Sequence, residues 1–167
     1  MLADAERLLA AVDTPTNRWL LAVQDCSRVC IIGSGDEIEA AALAALAVGQ
    51  AADQPDAFLW FTPTLFVTRI EDGRIGEVLP MVREQQAANP GLPTWRTALC
   101  ISLAEAGELE EAAEPVTELL SGGDPQPHDF FWLYSHCNLG VATAMVGTPE
   151  QAVLQYERLA PFAGRFP

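Results

Sequence analysis

The residues best suited to bind a metal lie in the last third of the chain. His128 and His136 flank an aromatic run, and Asp129 and Cys137 stand directly beside them. Imidazole, carboxylate and thiolate groups are all zinc ligands. Two ligands on one helix face need to be about four residues apart, whereas these histidines are eight apart. We therefore predict no metal site and interpret His136 as an inner histidine with a hydrogen-bond partner.

The cysteines offer a second kind of chemistry. Cys26 and Cys30 are four residues apart on a predicted helix, so they share one face. Zinc needs four ligands, and two thiolates do not complete that set. We interpret the two residues as a small pair buried between helices. No C-x-x-C motif and no signal peptide is present, so we expect reduced thiols in a cytoplasmic protein.

Residues for acid–base and phosphate chemistry are present but are not arranged for catalysis. The segment 31–35 resembles the start of a dinucleotide-binding loop, but Ile38 replaces its third glycine. Carboxylate pairs such as Glu110 with Glu111 fall in first helical turns, where they favour the helix dipole. The chain has no lysine, which excludes Schiff-base and P-loop chemistry. We predict that the protein is not an enzyme and has no catalytic residue and no cofactor.

The balance of charge excludes two classes of partner. The net charge is −14 and the pI is about 4.3. Nucleic acids are bound through Lys and Arg that neutralise phosphates, and anionic membranes attract basic segments. We therefore expect neither nucleic acid nor a membrane as a partner. Half of the residues are hydrophobic, which is enough for a core, and the abundance of alanine favours helices over strands.

A period in the sequence organises the helices that carry these residues. Gly35, Gly73, Gly107 and Gly147 are separated by 38, 34 and 40 residues. Five residues after each glycine begins a set at spacings i, i+4 and i+7, whose members share one helix face. The sets are Ala40, Ala44 and Ala47; Val78, Val82 and Gln85; Ala112, Val116 and Leu119; and Ala152, Tyr156 and Leu159.

Capping and breaking residues predict where the helices begin and end. Ser34 with Glu37, and Thr148 with Gln151, have the capping-box pattern of a helix start. We predict nine helices, at about 2–12, 15–32, 36–52, 56–71, 74–88, 94–106, 108–121, 129–146 and 149–160. Three prolines fall inside them, namely Pro63, Pro80 and Pro115. Because proline lacks an N–H, each is expected to kink or shorten its helix.

The last unit carries a resemblance to a known family. Residues 138–159 resemble a tetratricopeptide repeat at five consensus positions, which are held by Leu139, Gly140, Gly147, Ala152 and Tyr156. In other units Cys100 and Phe66 hold the position of Gly140; Cys100 is small enough for close helix packing there, whereas Phe66 is not. Segments 90–99 and 103–112 are also similar to the helical-repeat C-terminal segments of large bacterial ATPase-type transcription regulators and adenylyl-cyclase-like proteins.

The resemblance implies an all-α fold, an α-solenoid of about four tetratricopeptide-like helix–turn–helix repeats in a right-handed superhelical stack. We predict a single domain over 1–167, with repeats at roughly 15–53, 54–91, 92–125 and 128–164 and a half-repeat helix at 1–13. A solenoid normally ends in a helix with a polar outer face. Because none follows the last predicted helix, we expect a longer parent chain or ends that another molecule covers.

The first helix of each pair lines the concave face in this family, so the resemblance also implies groove positions. They are Trp60, Pro63, Val67, Ile70 and Glu71; Thr94, Thr97, Ile101, Ala104 and Glu105; and Tyr134, Cys137, Val141, Ala144 and Met145. None is basic, which excludes a clamp that holds a peptide carboxylate. The groove suits an apolar segment or an amphipathic helix, with a basic residue near Glu71 or Glu105. Alternatively, the same residues form core.

These features predict a non-catalytic protein–protein interaction scaffold, as a regulatory segment of a larger bacterial signalling or transcription-regulatory protein. Its partner is expected to be an apolar or amphipathic helix of another protein, or the remainder of a longer parent chain. One alternative is a structural or dimerisation segment, whose apolar faces the parent chain or a second copy covers. Another is a small-ligand sensor with an apolar pocket formed by aromatic residues, namely Trp60, Trp95, Trp132 and Tyr134.

Overall fold

The chain is helical throughout the part that the structure describes. The computed structural model describes residues 7, 9, 11–122 and 131–164. The described part beyond residue 14 holds eight α-helices, two 3-10 helices and no strand, which confirms the all-α prediction. The α-helices are α1 (Pro15–Ile32), α2 (Gly35–Ala51), α3 (Ala57–Glu71), α4 (Leu79–Ala88), α5 (Pro93–Glu105), α6 (Leu109–Ser121), α7 (Trp132–Val146) and α8 (Pro149–Leu159). Most of the predicted helix 2–12 lies outside the described residues.

Side-chain caps explain where two of the helices begin. The backbone N–H and the hydroxyl of Ser34 donate to the Glu37 carboxylate at 2.8 and 3.0 Å. At the start of α8, the N–H of Thr148 donates to Gln151 Oε1 at 2.8 Å, and the N–H of Gln151 donates to Thr148 Oγ1 at 3.3 Å. Both predicted capping boxes are confirmed. They satisfy N–H groups that a helix end leaves unpaired.

The predicted helix 74–88 is wrong in its first third. Residues 75–77 form a 3-10 helix, and α4 begins only at Leu79. Pro80 explains the difference, because a residue without an N–H is tolerated in the first turn of a helix but not in its interior. Pro63 and Pro115 do lie inside α3 and α6, and both helices continue through them.

The chain divides into two compact units. We call them the N-terminal unit (Met1–Gly73) and the C-terminal unit (Arg74–Pro167). In the N-terminal unit, α1 and α3 both pack on α2. The centre of its core is made of small side chains, namely Cys26, Ala42 and Ala45.

Helices α1, α2 and α3 of the N-terminal unit meet at Gly49. A Cβ placed there would lie 2.6 Å from the Cβ of Ala57 and 2.7 Å from Trp19 Nε1. Trp19 is near the start of α1 and Ala57 begins α3, while Gly49 is near the end of α2. Therefore α1 and α3 run side by side in the same direction, and α2 runs against both.

The buried face of α2 is not the one that the repeat pattern indicated. The predicted set Ala40, Ala44 and Ala47 is exposed. The buried residues are Ile38, Ala42, Ala45 and Gly49. The two sets are about two residues out of register, which places them on roughly opposite sides of a helix. Because alanine occupies both sides, the contact of Trp19 with Gly49 decides which side faces the core.

Helix α5 is the centre of the C-terminal unit. It packs on α4, α6 and α7, and α8 packs on α7. Large side chains are fully buried in this core, among them Val82, Leu103, Val116 and Leu139. The predicted set on α6 is buried as well, whereas Ala152 and Tyr156 of the set on α8 are exposed.

Helices α7 and α8 pack closely at Gly140. A Cβ at Gly140 would lie 3.1 Å from Leu159 Cδ1, so α7 and α8 approach closely there. Cys100 and Phe66, which hold the matching positions on α5 and α3, are both buried almost completely. The number of repeats, the superhelical stack and the single domain over 1–167 stay predictions.

Candidate functional site

The predicted groove residues of α3 lie at the surface of the N-terminal unit. Trp60 is 43% exposed and Val67 is 45% exposed. Glu71 is exposed at the end of the helix, and Ile70 is half-buried. Because large apolar side chains rarely gather at the surface without reason, this helix is the first candidate for contact with a partner.

The predicted groove residues of α5 lie instead in the core of the C-terminal unit. Thr97 and Ile101 are 0% and 2% exposed, and only Glu105 reaches the surface. Helix α7 packs against α5, and the hydroxyl of Ser135 donates to Thr94 Oγ1 across this contact at 3.2 Å. Neither Thr97 nor Ile101 is accessible to a partner in this arrangement.

The predicted groove residues of α7 are partly exposed, as on α3, and partly covered, as on α5. Val141 and Met145 are exposed, while Tyr134 and Cys137 are half-buried. Burial raises the pKa of the Tyr134 hydroxyl to about 12, against a smaller opposing effect of a hydrogen bond with Asn138. Burial also raises the pKa of the Cys137 thiol. These groups stay neutral near pH 7, as packing residues do.

One groove in the N-terminal unit brings predicted and unpredicted residues together. We call it the α1–α3 groove. On α3, Trp60 and Thr64 line the groove, and their stripe continues by helical spacing, at i+7 and i+11 from Trp60, to the exposed Val67 and Glu71. Its wall on α1 has the same spacing and also begins with tryptophan: Trp19, Val23, Cys26 and Cys30. Each stripe lies on one side of its helix.

The floor of the α1–α3 groove is formed by α2. Ala42, Ala45 and Leu46 line a depression of about 30 Å³ between Trp19 and Trp60. Helices α1 and α3 both contact α2 more extensively than they contact each other. The alanines and Gly49 seat the two outer helices close to α2, and the two walls of the groove meet where the side chains of Cys26 and Thr64 form a hydrogen bond.

The far end of the α1–α3 groove is electronegative. Glu71 ends α3, and the last turn of α1 has no basic residue. Arg69 is the basic residue in the last turn of α3, but its guanidinium binds both oxygens of Glu39 at 2.6 Å. The carbonyl ends of α1 and α3 add partial negative charge at this end, whereas the N-terminus of α2 adds partial positive charge there, next to its own Asp36 and Glu37.

The cysteine pair lies on the α1 wall of the groove. Cys26 is buried, but Cys30 is exposed, so the prediction that both are buried is wrong for Cys30. Burial, together with the neighbouring Cys30 thiol, raises the pKa of Cys26 to about 11. A thiol held in its neutral form is a poor nucleophile and a poor metal ligand. Cys26 is therefore a packing residue beneath the groove.

The other sites considered from sequence are placed differently. His128 and Asp129 lie outside the described residues. His136 is buried, with Nδ1 3.1 Å from Gln155 Nε2, and its carbonyl accepts from the same Nε2 at 2.7 Å. Among residues 11–122 and 131–164, no three His, Cys, Asp or Glu side chains are arranged to hold a metal ion. Residues 31–32 end α1, and Glu110 and Glu111 are in the first turn of α6.

The aromatic residues of the sensor alternative are divided between the units. Trp60 lines the depression in the N-terminal unit. Trp95 and Trp132 are buried in the C-terminal unit, where Trp132 packs on His136 with ring centroids 4.3 Å apart. A larger depression of about 270 Å³ lies in the C-terminal unit beside Arg96 and Glu118, which form an ion pair at 2.6 Å.

The stripe on α1 was missed by the sequence reasoning. Its signal was available, because Trp19 and Trp60 each begin a series with the same spacing.

None of the described helices is both long and apolar enough to cross a membrane. No protein family, no curated protein and no solved structure matches this chain.

Proposed function

We propose that this protein is a non-catalytic interaction module, and that its α1–α3 groove binds an amphipathic helix of a partner protein. The observation that carries the proposal is the exposure of Trp60 and Val67 on one stripe above a floor of alanines. We further propose that the helices are tetratricopeptide-like repeats of an α-solenoid in the cytoplasm. Such a module suits a regulatory segment of a larger bacterial signalling or transcription-regulatory protein.

The geometry of the groove favours a helix over other ligands. A partner helix laid between two parallel helices buries one apolar stripe against both walls, and this is a recurring mode of peptide recognition. Each large aliphatic side chain that it covers contributes about 1.5–3 kcal/mol if burial is complete. The depression between Trp19 and Trp60, at about 30 Å³, is too small for a metabolite of ordinary size. At this site, the size favours the side chain of a partner protein over a metabolite.

Charge narrows the class of partner. The chain carries a net charge of −14, so a partner helix with basic residues on its outer edges associates faster than a neutral or acidic one. The groove residues themselves include no basic side chain. An acidic partner helix would therefore find no counter-charge along the walls.

The first test is a titration of the full chain with a tryptophan-free helical peptide of about 18 residues, made of leucine, arginine, alanine and glutamine. Trp60 is the one exposed tryptophan; Trp19, Trp95 and Trp132 are each at most 7% exposed. Covering the groove should therefore shift the emission of Trp60 to shorter wavelength and protect it from acrylamide. A Trp60→Phe variant should abolish this response and confirms its source.

Two surface variants distinguish the groove from a general apolar surface. Val67→Arg should weaken peptide binding at least about tenfold, because an arginine must then be desolvated in an apolar contact. Leu43→Arg is the matched control, because Leu43 is 49% exposed on α2 and so lies on neither of the two stripes that form the walls on α1 and α3. It should bind as the original does. Equal losses for both variants, or no binding by any peptide, would contradict the proposal.

Sedimentation of the free protein tests the dimerisation alternative. If a second copy occupies the groove, the chain should dimerise with rising concentration, and Val67→Arg should restore the monomer while Leu43→Arg should not. We expect a monomer for all three proteins. A dimer that depends on Val67 would replace the partner helix with a second copy of this chain.

A further inference from the structure

The α3 wall of the groove has two ends of different chemistry. Trp60 and Glu71 are eleven residues apart on one stripe, which is about 16 Å along the helix at 1.5 Å per residue. Eleven residues are close to three turns, so the two side chains project from the same side. A partner helix that lies along this wall therefore contacts an apolar end at Trp60 and an acidic end at Glu71, at a fixed separation.

The apolar end admits only a small group. The depression of about 30 Å³ is bounded by Trp19, Trp60 and Phe61 over the alanines of α2. That volume holds roughly one or two groups the size of a water molecule. The end of a leucine, valine or methionine side chain fits this space, and an aromatic ring does not.

The charged end attracts a cation. Glu71 is exposed, and Asp72 follows it with its carboxylate beside Gly35 at the start of α2. Arg69 is held by Glu39 through two hydrogen bonds of 2.6 Å, so its guanidinium is directed to that carboxylate. A lysine or arginine of a partner would meet the exposed carboxylate of Glu71.

We propose that the α1–α3 groove selects a partner helix with an aliphatic anchor and a basic residue eleven positions apart on the same face. This inference rests on the proposed function, since it names which helix the groove accepts. The anchor enters the depression between the two tryptophans, and the basic residue pairs with Glu71. An exposed pair of this kind adds modest affinity but fixes the register of the bound helix.

The test compares three peptides with one apolar stripe. The first has arginine eleven residues from the leucine anchor. The second has the same composition, with the arginine nine residues from the anchor and so on the opposite face. The third has glutamine in place of arginine. We expect the first to bind about threefold to fivefold more tightly than the other two at low salt, and this advantage to disappear at about 0.5 M salt.

Two carboxylate variants locate the effect. Glu71→Gln should remove the advantage of the first peptide and leave the affinity for the glutamine peptide unchanged. Asp56→Asn is the control, because it neutralises an exposed carboxylate just before the other end of α3. It should preserve the advantage. An equal effect of the two variants would indicate general attraction between charges and overturn the inference.

Failure of this inference differs from failure of the proposed function. If all three peptides bind equally and Val67→Arg still abolishes binding, the groove binds helices without reading their charge. The inference is then wrong and the proposed function stands. If no peptide binds, both are wrong.

Discussion

The N-terminal and C-terminal units carry the same net charge but use their inner helices differently. The N-terminal unit has four arginines and eleven acidic residues, and the C-terminal unit has five and twelve. In the C-terminal unit, α7 covers the inner face of α5. In the N-terminal unit, α1 and α3 leave their inner faces open beside Trp60 and Val67. Composition and charge do not distinguish a closed pair of helices from an open one.

The difference follows from what lies between the helices. In the N-terminal unit, small residues on α2, namely Ala42, Ala45 and Gly49, seat α1 and α3 close to it. These two helices share little contact with each other apart from the hydrogen bond between Cys26 and Thr64. The α5–α7 contact is much more extensive, and it includes a hydrogen bond between the buried hydroxyl of Ser135 and the half-buried hydroxyl of Thr94. Polar groups are costly to bury without partners, so this bond helps to fix the register of α5 against α7. The extent of the contact leaves no groove for a ligand.

The test with the largest expected effect places an arginine on the inner face of α5 and, separately, on the inner face of α3. Ile101→Arg buries a cation at a position that is 2% exposed, and we expect it to lower the free energy of unfolding by at least about 4 kcal/mol. Val67→Arg should change stability by no more than about 0.5 kcal/mol, because its side chain reaches water. Urea denaturation followed by circular dichroism measures both. Similar losses would show that the two faces are equally covered.

A second test compares two ion pairs. The Arg69–Glu39 pair has side chains 8% and 27% exposed, whereas those of Arg96–Glu118 are 34% and 59% exposed. Glu39→Gln should destabilise the protein by roughly 2–4 kcal/mol, since it leaves a buried guanidinium without its counter-charge. Glu118→Gln should cost at most about 1 kcal/mol. If added salt reduces both effects alike, the first pair is not shielded from solvent and the comparison fails.

A third test uses the two glycines at close helix contacts. Gly49→Ala forces a methyl group against Ala57 and Trp19, and should cost about 1–3 kcal/mol. In Gly140→Ala the new methyl group meets the flexible end of Leu159 at 3.1 Å and makes an ordinary contact with Gln155 at 3.7 Å. Alanine also favours a helix over glycine by about 0.5–1 kcal/mol. We therefore expect Gly140→Ala to be close to neutral in thermal denaturation. If Gly140→Ala loses more stability than Gly49→Ala, the tighter helix contact is the one at Gly140.

Local signals in the sequence were sufficient for most helix boundaries. Ser34 and Thr148 start helices because their neighbours three residues later complete the cap. Such hydrogen bonds involve residues close in the chain, so spacing alone reveals them. Pro80 was harder, because a proline breaks a helix interior but is accepted in a first turn. Pattern alone did not show which of these roles it has.

The sequence did not show in the same way which helix faces are buried and which are exposed. Helix α2 has alanine on opposite faces, and the side that is buried depends on Trp19, which is thirty residues from Gly49. The predicted groove positions on α3, α5 and α7 each include apolar residues, yet only some of these are exposed. Whether Val67 or Ile101 is covered depends on how far a neighbouring helix lies from it, and residue type does not encode that distance.

The smallest test concerns alkaline stability and the thiols of the two units. Burial raises the pKa of Cys100 from its usual 9.0 to about 12, with a smaller opposing effect of Arg96, while that of Cys26 is raised to about 11. Between the usual value and the raised one, only the unfolded chain ionises its thiol, so stability falls as pH rises above about 9. We expect the raised pKa of Cys100 to lower the free energy of unfolding by about 1 kcal/mol at pH 10 relative to pH 7. Urea titrations of Cys100→Ala should show a correspondingly flatter decline of the free energy of unfolding with pH.

Cys26→Ala should also flatten this decline in the same pH range, but its effect should stop growing near pH 11, where the folded thiol also ionises. A decline that neither variant changes would mean that water reaches both thiols, and that the two cores are equally open to solvent.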